Sequence, residues 1–285
     1  MAAVGAHAEP GFLVALFVRR SVLVALAAFS AIVLLCFAAP LVAPADPDAM
    51  SVRARLTAPG AGYWLGADAF GRDVFSRLLH AGRVSLTIGL GVAALSSLLG
   101  ILIGLVAGFF PRLDAPLSRL IDAMMAFPDI LLALSLVAIF GGTMANVILA
   151  LSIVYAPRIA RIVRASTLVI RGLPYVEAAR ALGTRTPTIM TTHVLRNIVS
   201  PILVQATFIF AYAMLAEAGL SFLGVGVDPE TPTWGTMVNE GRQYIDQAIF
   251  LILVPGLAIS ISVLSLQLVG DGLRDALDPK LAKET

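Results

Sequence analysis

Apolar positions in this chain gather into six long runs, about Val22 to Val42, Val84 to Phe110, Ser118 to Phe140, Met144 to Val163, Ile198 to Leu223 and Ala248 to Val269. A helix rising 1.5 Å per residue needs about 20 residues to cross a bilayer core of about 30 Å, and each run meets that length. Lipid gives the backbone no water to bind, so a helix, which satisfies its own N–H and C=O groups, is predicted over each. A closed barrel would need short segments of alternating polarity instead. The sequence carries no such alternation.

The pattern breaks between the fourth and fifth runs, at EAARALGTRTPTIMTTHVLRN, Glu177 to Asn197. Glu177 to Leu182 favours a helix, Gly183 supplies a stop, and Thr186-Pro187 reads as an N-cap followed by proline at the first position of a second helix. Two short helices are therefore predicted to meet at a glycine corner. About 34 residues, Arg164 to Asn197, join the two spans, where helices in bundles are usually joined by roughly 2 to 8. An amphipathic helix lying among lipid headgroups accounts for the pattern. So does a docking element for a soluble protein, and helical periodicity does not separate the two.

Composition agrees with the runs: of 285 residues 59% are hydrophobic and 13% charged, against about 45 to 50% and about 25% in soluble domains. The net charge of +2 and the scattered arginines do not suggest nucleic acid as a partner. Cys36, the single cysteine, excludes an internal disulfide or a cysteine-based metal cluster and reads as a packing residue.

Charge orients the spans. One side collects Arg19, Arg20, Arg112, Arg119, Arg158, Arg161, Arg164, Arg171, Arg180, Arg185, Arg196, Arg274, Lys280 and Lys283, which is 14 of the 20 basic residues. The other side keeps Arg53, Arg55, Arg72, Arg77, Arg83 and Arg242. The positive-inside rule then puts both termini in the cytoplasm. Arg19-Arg20 followed by an apolar run and APAD at Ala43 to Asp46 also resembles a cleavable leader, but the run is longer than the usual ~7 to 15 residues, and an anchor is predicted.

Glu177-Ala178-Ala179, then three residues, Gly183, nine residues and HVLRN resemble the EAA loop of ABC importer permeases of the dipeptide, oligopeptide and nickel family. His193 stands where the general motif has isoleucine, as is usual in that branch, and Arg196 stands where it has proline. The likeness extends to LGADAFGRDVFSRLLHAGRVSLTIGL (Leu65 to Leu90), LAEAGLSFLGVGVDPETPTWGTMVNEGR (Leu215 to Arg242) and GDGLRDALDPK (Gly270 to Lys280). The first span with its long loop is similar to the start of the C-type subunit.

The resemblance implies an all-α integral membrane protein of six transmembrane helices, the type I ABC importer permease fold with an extra N-terminal span. Residues 1–82 would hold the N-terminal tail, first helix and outer loop; 83–270 the five-helix permease core with its coupling loop at 172–197; and 271–285 a cytoplasmic tail. It further implies a bacterial inner-membrane location and four kinds of partner: a second, non-identical permease, two ATP-binding subunits, an extracytoplasmic substrate-binding protein, and lipid. No cofactor is expected in this chain, ATP and Mg belonging to the ATPase subunits; the sequence has no G-x4-G-K-[ST] loop. Glu177, Ala178, Ala179, Arg180, Ala181, Leu182, Gly183 and His193 would make the ATPase-coupling element.

Other residues invite roles. Arg72, Asp73, Trp234 and Glu240 fall in matched outer segments and are expected to face the binding protein, with Trp234 as an apolar anchor. Charges inside spans usually face protein or water. Glu217 is accordingly expected to make a polar interior contact, and is the pathway candidate. Asp122 is expected to reach headgroups, and Pro128-Asp129 to kink the third span. Ser96, Gly100, Gly104 and Gly108 recur every four residues, a stripe suited to close helix contact within the chain or with the second permease. Serine-protease chemistry at Ser221 lacks a base, since His7, His80 and His193 all lie outside the runs. A secondary transporter coupled through Glu217 is the remaining alternative, and it gives the Glu177 loop no task.

Overall fold

A computed structural model describes residues 20–228 and 230–277 of the chain, and these are nearly all helical. The predicted features at Arg19, Lys280 and Lys283 lie outside the described residues. Helix α1 spans Arg20–Phe37, α2 Val74–Phe109, α3 Pro111–Ala126, α4 Asp129–Phe140, α5 Met144–Ile170, α6 Pro174–Ala181, α7 Val199–Phe222, α8 Trp234–Arg242 and α9 Phe250–Leu277. Among the described residues, α1, α2, α5, α7 and α9 are each long and apolar enough to cross a membrane. The α3–α4 pair makes a sixth span if its halves are taken together.

That third span departs from the single helix expected over Ser118 to Phe140. Its halves meet at 96°. Pro128 has no N–H to continue the ladder and pushes the residue before it out of the helical region, and Phe127 is extended at φ −84°, ψ 142°. The break is therefore far sharper than a kink. Helix α4, at 12 residues, is about 18 Å long and is too short to cross alone.

Boundaries elsewhere move for local reasons. Helix α2 starts ten residues before the apolar run does, because Asp73 caps it by accepting from the Ser76 N–H at 2.7 Å. Helices α5 and α9 run beyond their apolar stretches, to Ile170 and Leu277. Residues 271–277, expected as the start of a tail, are thus the last turns of α9.

Among the described helices, α2 and α5 share the most extensive contact. A Cβ on Gly104 would stand 2.6 Å from the Ala160 carbonyl oxygen, and Gly100 and Gly108 meet Ile159 and Thr167 at the same closeness. The small-residue stripe is thus occupied by the chain's own α5. Helix α1 leans on α2 and α9, with Cys36 buried against Gly82 and Val22 against Gly272.

Three acid–arginine pairs tie the broken span to α5: Asp129 with Arg158, Asp122 with Arg161 at 2.7 Å, and Asp114 with Arg164 at 2.5 Å. Arginines three residues apart share a helix face, so one face of α5 receives carboxylates from both halves of the break. Asp122, expected to reach headgroups, pairs with Arg161 because the bend swings α3 alongside α5, and both side chains stay largely exposed.

Candidate functional site

The 171–198 loop is built to hold one short helix rigidly. Pro174 begins α6 and Glu177 lies in its first turn, where proline and a negative charge are both favoured. The helix ends with the Gly183 N–H on the Arg180 carbonyl and the Thr184 N–H on the Ala179 carbonyl, each at 3.0 Å, the paired closure of a Schellman motif. Gly183 has φ +80°, and a Cβ there would meet nothing within 4 Å. Backbone conformation alone, not crowding, calls for glycine at this corner.

Helix α6 has two unlike faces. Val176 is fully buried and joins Ile189, Val194 and Ile198 in the main apolar core. Glu177, Ala178, Ala181 and Leu182 face outward, Leu182 at 87% exposure, and Ala179 is half-buried. The Arg180 guanidinium sits 5.3 Å from the centre of the Phe109 ring. Arg171 donates to the Gly108 carbonyl at 2.7 Å and more weakly to that of Phe109 at 3.5 Å. Both arginines therefore grip the last turn of α2, where unpaired carbonyls and the helix dipole favour a cation.

The second half of the loop is irregular. Arg185, not Thr186, is the N-cap residue, so Pro187 falls at the second helical position. A single α turn over Thr186–Thr188 widens into a π segment, Ile189–Val194, and tightens into a 3-10 turn, Leu195–Asn197. The Thr191 hydroxyl bonds back to the Pro187 carbonyl at 2.9 Å, which competes with the regular ladder. The His193 ring lies 6.0 Å from the Tyr175 ring, and the His193 carbonyl accepts from Asn197 Nδ2 at 2.6 Å. Glu177 to Gly183 and His193 are thus brought into one unit. Arg171, Tyr175 and Asn197, which fasten that unit, were not singled out by the sequence.

The opposite end of the molecule carries a charged clasp. Asp68 accepts from the Phe70 and Arg72 N–H groups at 2.8 and 2.9 Å and from Arg72 Nε at 2.6 Å. Arg72 Nη2 reaches Glu240 on α8 at 2.9 Å, and Arg77 reaches the same carboxylate at 3.3 Å. The long first loop is thereby hooked to the short helix α8. Beside the clasp lies a cavity of about 220 Å³ lined in part by Phe70, Met237, Tyr244 and Leu251.

Of the four residues expected to face a binding protein, only Glu240 is substantially open, its side chain 37% exposed. Asp73 is buried as the cap of α2, and Arg72 is buried in the clasp. Trp234 corrects the expectation most clearly. It is 1% exposed, with Nε1 donating to the Leu78 carbonyl at 2.9 Å, so its ring anchors α8 onto α2 and offers nothing to a partner.

Glu217 is also 1% exposed. Ser221 Oγ donates to it at 2.8 Å and Ser85 Oγ at 3.4 Å, while Ser85 accepts from the Trp234 N–H at 3.1 Å. This polar knot joins α2, α7 and α8, an interior contact of the expected kind.

A chain with these spans, a polar corner at one end and a charged clasp at the other matches known proteins. Residues 97–283 match the binding-protein-dependent transport system inner membrane component family. The chain belongs to that family. A Brucella suis biovar 1 protein named as a peptide transport system permease is 49% identical over 266 residues, 93% of this chain and 90% of its own. The di/tripeptide transport system permease DppC of Pseudomonas aeruginosa is 46% identical over 85% of this chain and 82% of its own. The glutathione transport system permease GsiD of Pectobacterium atrosepticum is 41% identical over 93% and 89%.

The protein is thus a multi-pass permease subunit of an ABC transport system and not an enzyme. Such a subunit works with an ATPase, which hydrolyses ATP in a separate chain, and with a binding protein. The secondary transporter weighed from Glu217 gives way to this.

Proposed function

We propose that this permease imports short peptides or a related small solute, forming half of a pathway completed by a second, non-identical permease. Both termini and the 171–198 loop lie in the bacterial cytoplasm, as the distribution of arginine favours. Two ATPase subunits, holding ATP and Mg, sit beneath the loop, and a binding protein delivers substrate to the clasped outer face. Peptide as the substrate class draws support from the relatives' names.

The observation that carries the reading is the α6 corner. Its outward face presents Glu177, Ala178, Ala181 and Leu182, while Val176, Arg171 and Arg180 fix its inward side to the core and to α2. An exposed helix fixed in this way passes a push into the membrane that a slack loop would absorb. Helix α2, at 36 residues, is about 54 Å long and reaches from this corner to the outer clasp.

The test is crosslinking from Ala181→Cys in the assembled transporter during turnover. An ATPase adduct is expected, changing in yield with nucleotide; adducts with lipid alone overturn the reading.

A further inference from the structure

A groove of about 470 Å³ lies between α5, α7 and α9, at the end of the spans that carries the polar loop. Two of its residues fix that position: Ser200 is in the first turn of α7, directly after the loop, and Arg274 is in the last turn of α9. Val204, Gln205 and Phe208 continue the lining along one face of α7, and Ile162 of α5 completes it. A Cβ on Gly270 would stand 3.2 Å from the Phe208 ring, so α9 offers bare backbone where that ring lies against it.

The lining is amphipathic. Ile162, Val204 and Phe208 are apolar, whereas Ser200, Gln205 and Arg274 bring a hydroxyl, an amide and a guanidinium. Among the described residues, none of these three side chains makes a hydrogen bond or an ion pair. No carboxylate lines the groove; Asp271 and Asp275, on the same helix as Arg274, lie outside it. Val22 packs on Gly272, so Arg20, at the start of α1, adds a second cation at this end of the molecule. Donors and a positive charge beside an apolar strip, at the end of membrane-spanning helices, suit a ligand with an anionic head and an apolar tail. A zwitterionic peptide fits less well, because its ammonium group would meet no carboxylate there.

We propose that this groove holds an anionic phospholipid from the leaflet at the loop end of the spans, with its phosphate on Arg274 and Ser200 and one acyl chain along Ile162, Val204 and Phe208. The guanidinium and the hydroxyl both donate to phosphate oxygens, and the Gln205 amide donates to the ester carbonyl beside them. The acyl chain covers apolar side chains that otherwise line an open groove.

The test is photolabelling of the complete transporter, reconstituted in phosphatidylcholine vesicles, with a phosphatidylglycerol that carries a diazirine on its acyl chain. Adducts are expected on α7 between Ser200 and Phe208, and excess phosphatidylglycerol is expected to compete them away far better than excess phosphatidylcholine. Arg274→Gln is expected to lower this labelling about fivefold, the effect of one basic residue on an anionic lipid. Val204→Trp, which fills the groove and leaves the charge in place, is expected to lower it as well. If Arg274→Gln fails to assemble, Arg274→Lys serves; it keeps the charge without the fork, and an intermediate loss is expected. Equal competition by the two lipids means ordinary boundary lipid and overturns the site, as does labelling unchanged by both substitutions. An absence of adducts on α7 means that the second permease or residues 278–285 of this chain cover the groove, and also overturns it.

Discussion

Arg171 donates from Nη1 to the Gly108 carbonyl oxygen at 2.7 Å, joining the polar loop to the end of α2 across 63 residues of sequence. Gly108 in turn packs on Thr167 of α5, four residues before Arg171 itself. The loop, α2 and α5 are therefore fastened at one point, and displacement of α6 has a short route into the two most closely packed helices of the permease.

Gly183 tests whether the corner's shape matters. A side chain there meets no steric obstacle, so the cost is the left-handed backbone conformation, about 1 to 2 kcal/mol for a residue with a Cβ. Gly183→Asn, which tolerates that conformation, is expected to keep most uptake activity, and Gly183→Val to lose most of it at equal membrane abundance. Equal activity of the two variants contradicts a shape-dependent corner.

Gly104 tests the α2–α5 seam. A methyl group at 2.6 Å from a backbone carbonyl oxygen forces the helices apart. Gly104→Ala is expected to cost about 1 to 3 kcal/mol and Gly104→Leu to abolish the folded subunit. Thermal stability and yield of the purified complex read this. Unimpaired Gly104→Leu assembly means that the seam is not close-packed.

Glu217 separates an interior contact from a pathway role. Glu217→Gln keeps groups that can bond to Ser85 and Ser221, and uptake is expected to persist. Glu217→Leu strands the two hydroxyls at a cost of about 1 to 3 kcal/mol, and a lower melting temperature is expected. Lost uptake in a well-folded Glu217→Gln variant instead assigns the carboxylate to transport.

Glu240 tests the clasp. It is shared by Arg72 and Arg77, both buried, so Glu240→Ala leaves two cations with Asp68 alone. Faster proteolysis of the first loop is expected, because the loop's hold on α8 is broken. An unchanged cleavage rate contradicts that hold.

Much of this was legible in the sequence because lipid imposes a simple rule: an apolar run of sufficient length becomes a helix. The glycine corner was legible for a similar reason, since Gly183 and Pro187 punctuate the backbone whatever surrounds them. What could not be read depends on contacts between distant residues. Nothing local says that Asp122 meets Arg161, or that Arg171 reaches Gly108. Trp234 looks exposed in the sequence because it sits in a polar stretch, although the T-x-x-T capping box of Thr233 and Thr236 marks the start of α8 just there. Proline at 128 signalled a break, but how sharply the chain turns is settled by the packing of both halves on α5.

The central claim is that α6 drives transport through its fastening to α2. The most direct test is the number of substrate molecules imported per ATP hydrolysed when Arg171 is replaced by alanine in the complete transporter. The account predicts that ATP hydrolysis continues while this ratio falls about fivefold or more, the size of a typical coupling energy between sites. An unchanged ratio, with Arg171→Ala fully assembled, contradicts it.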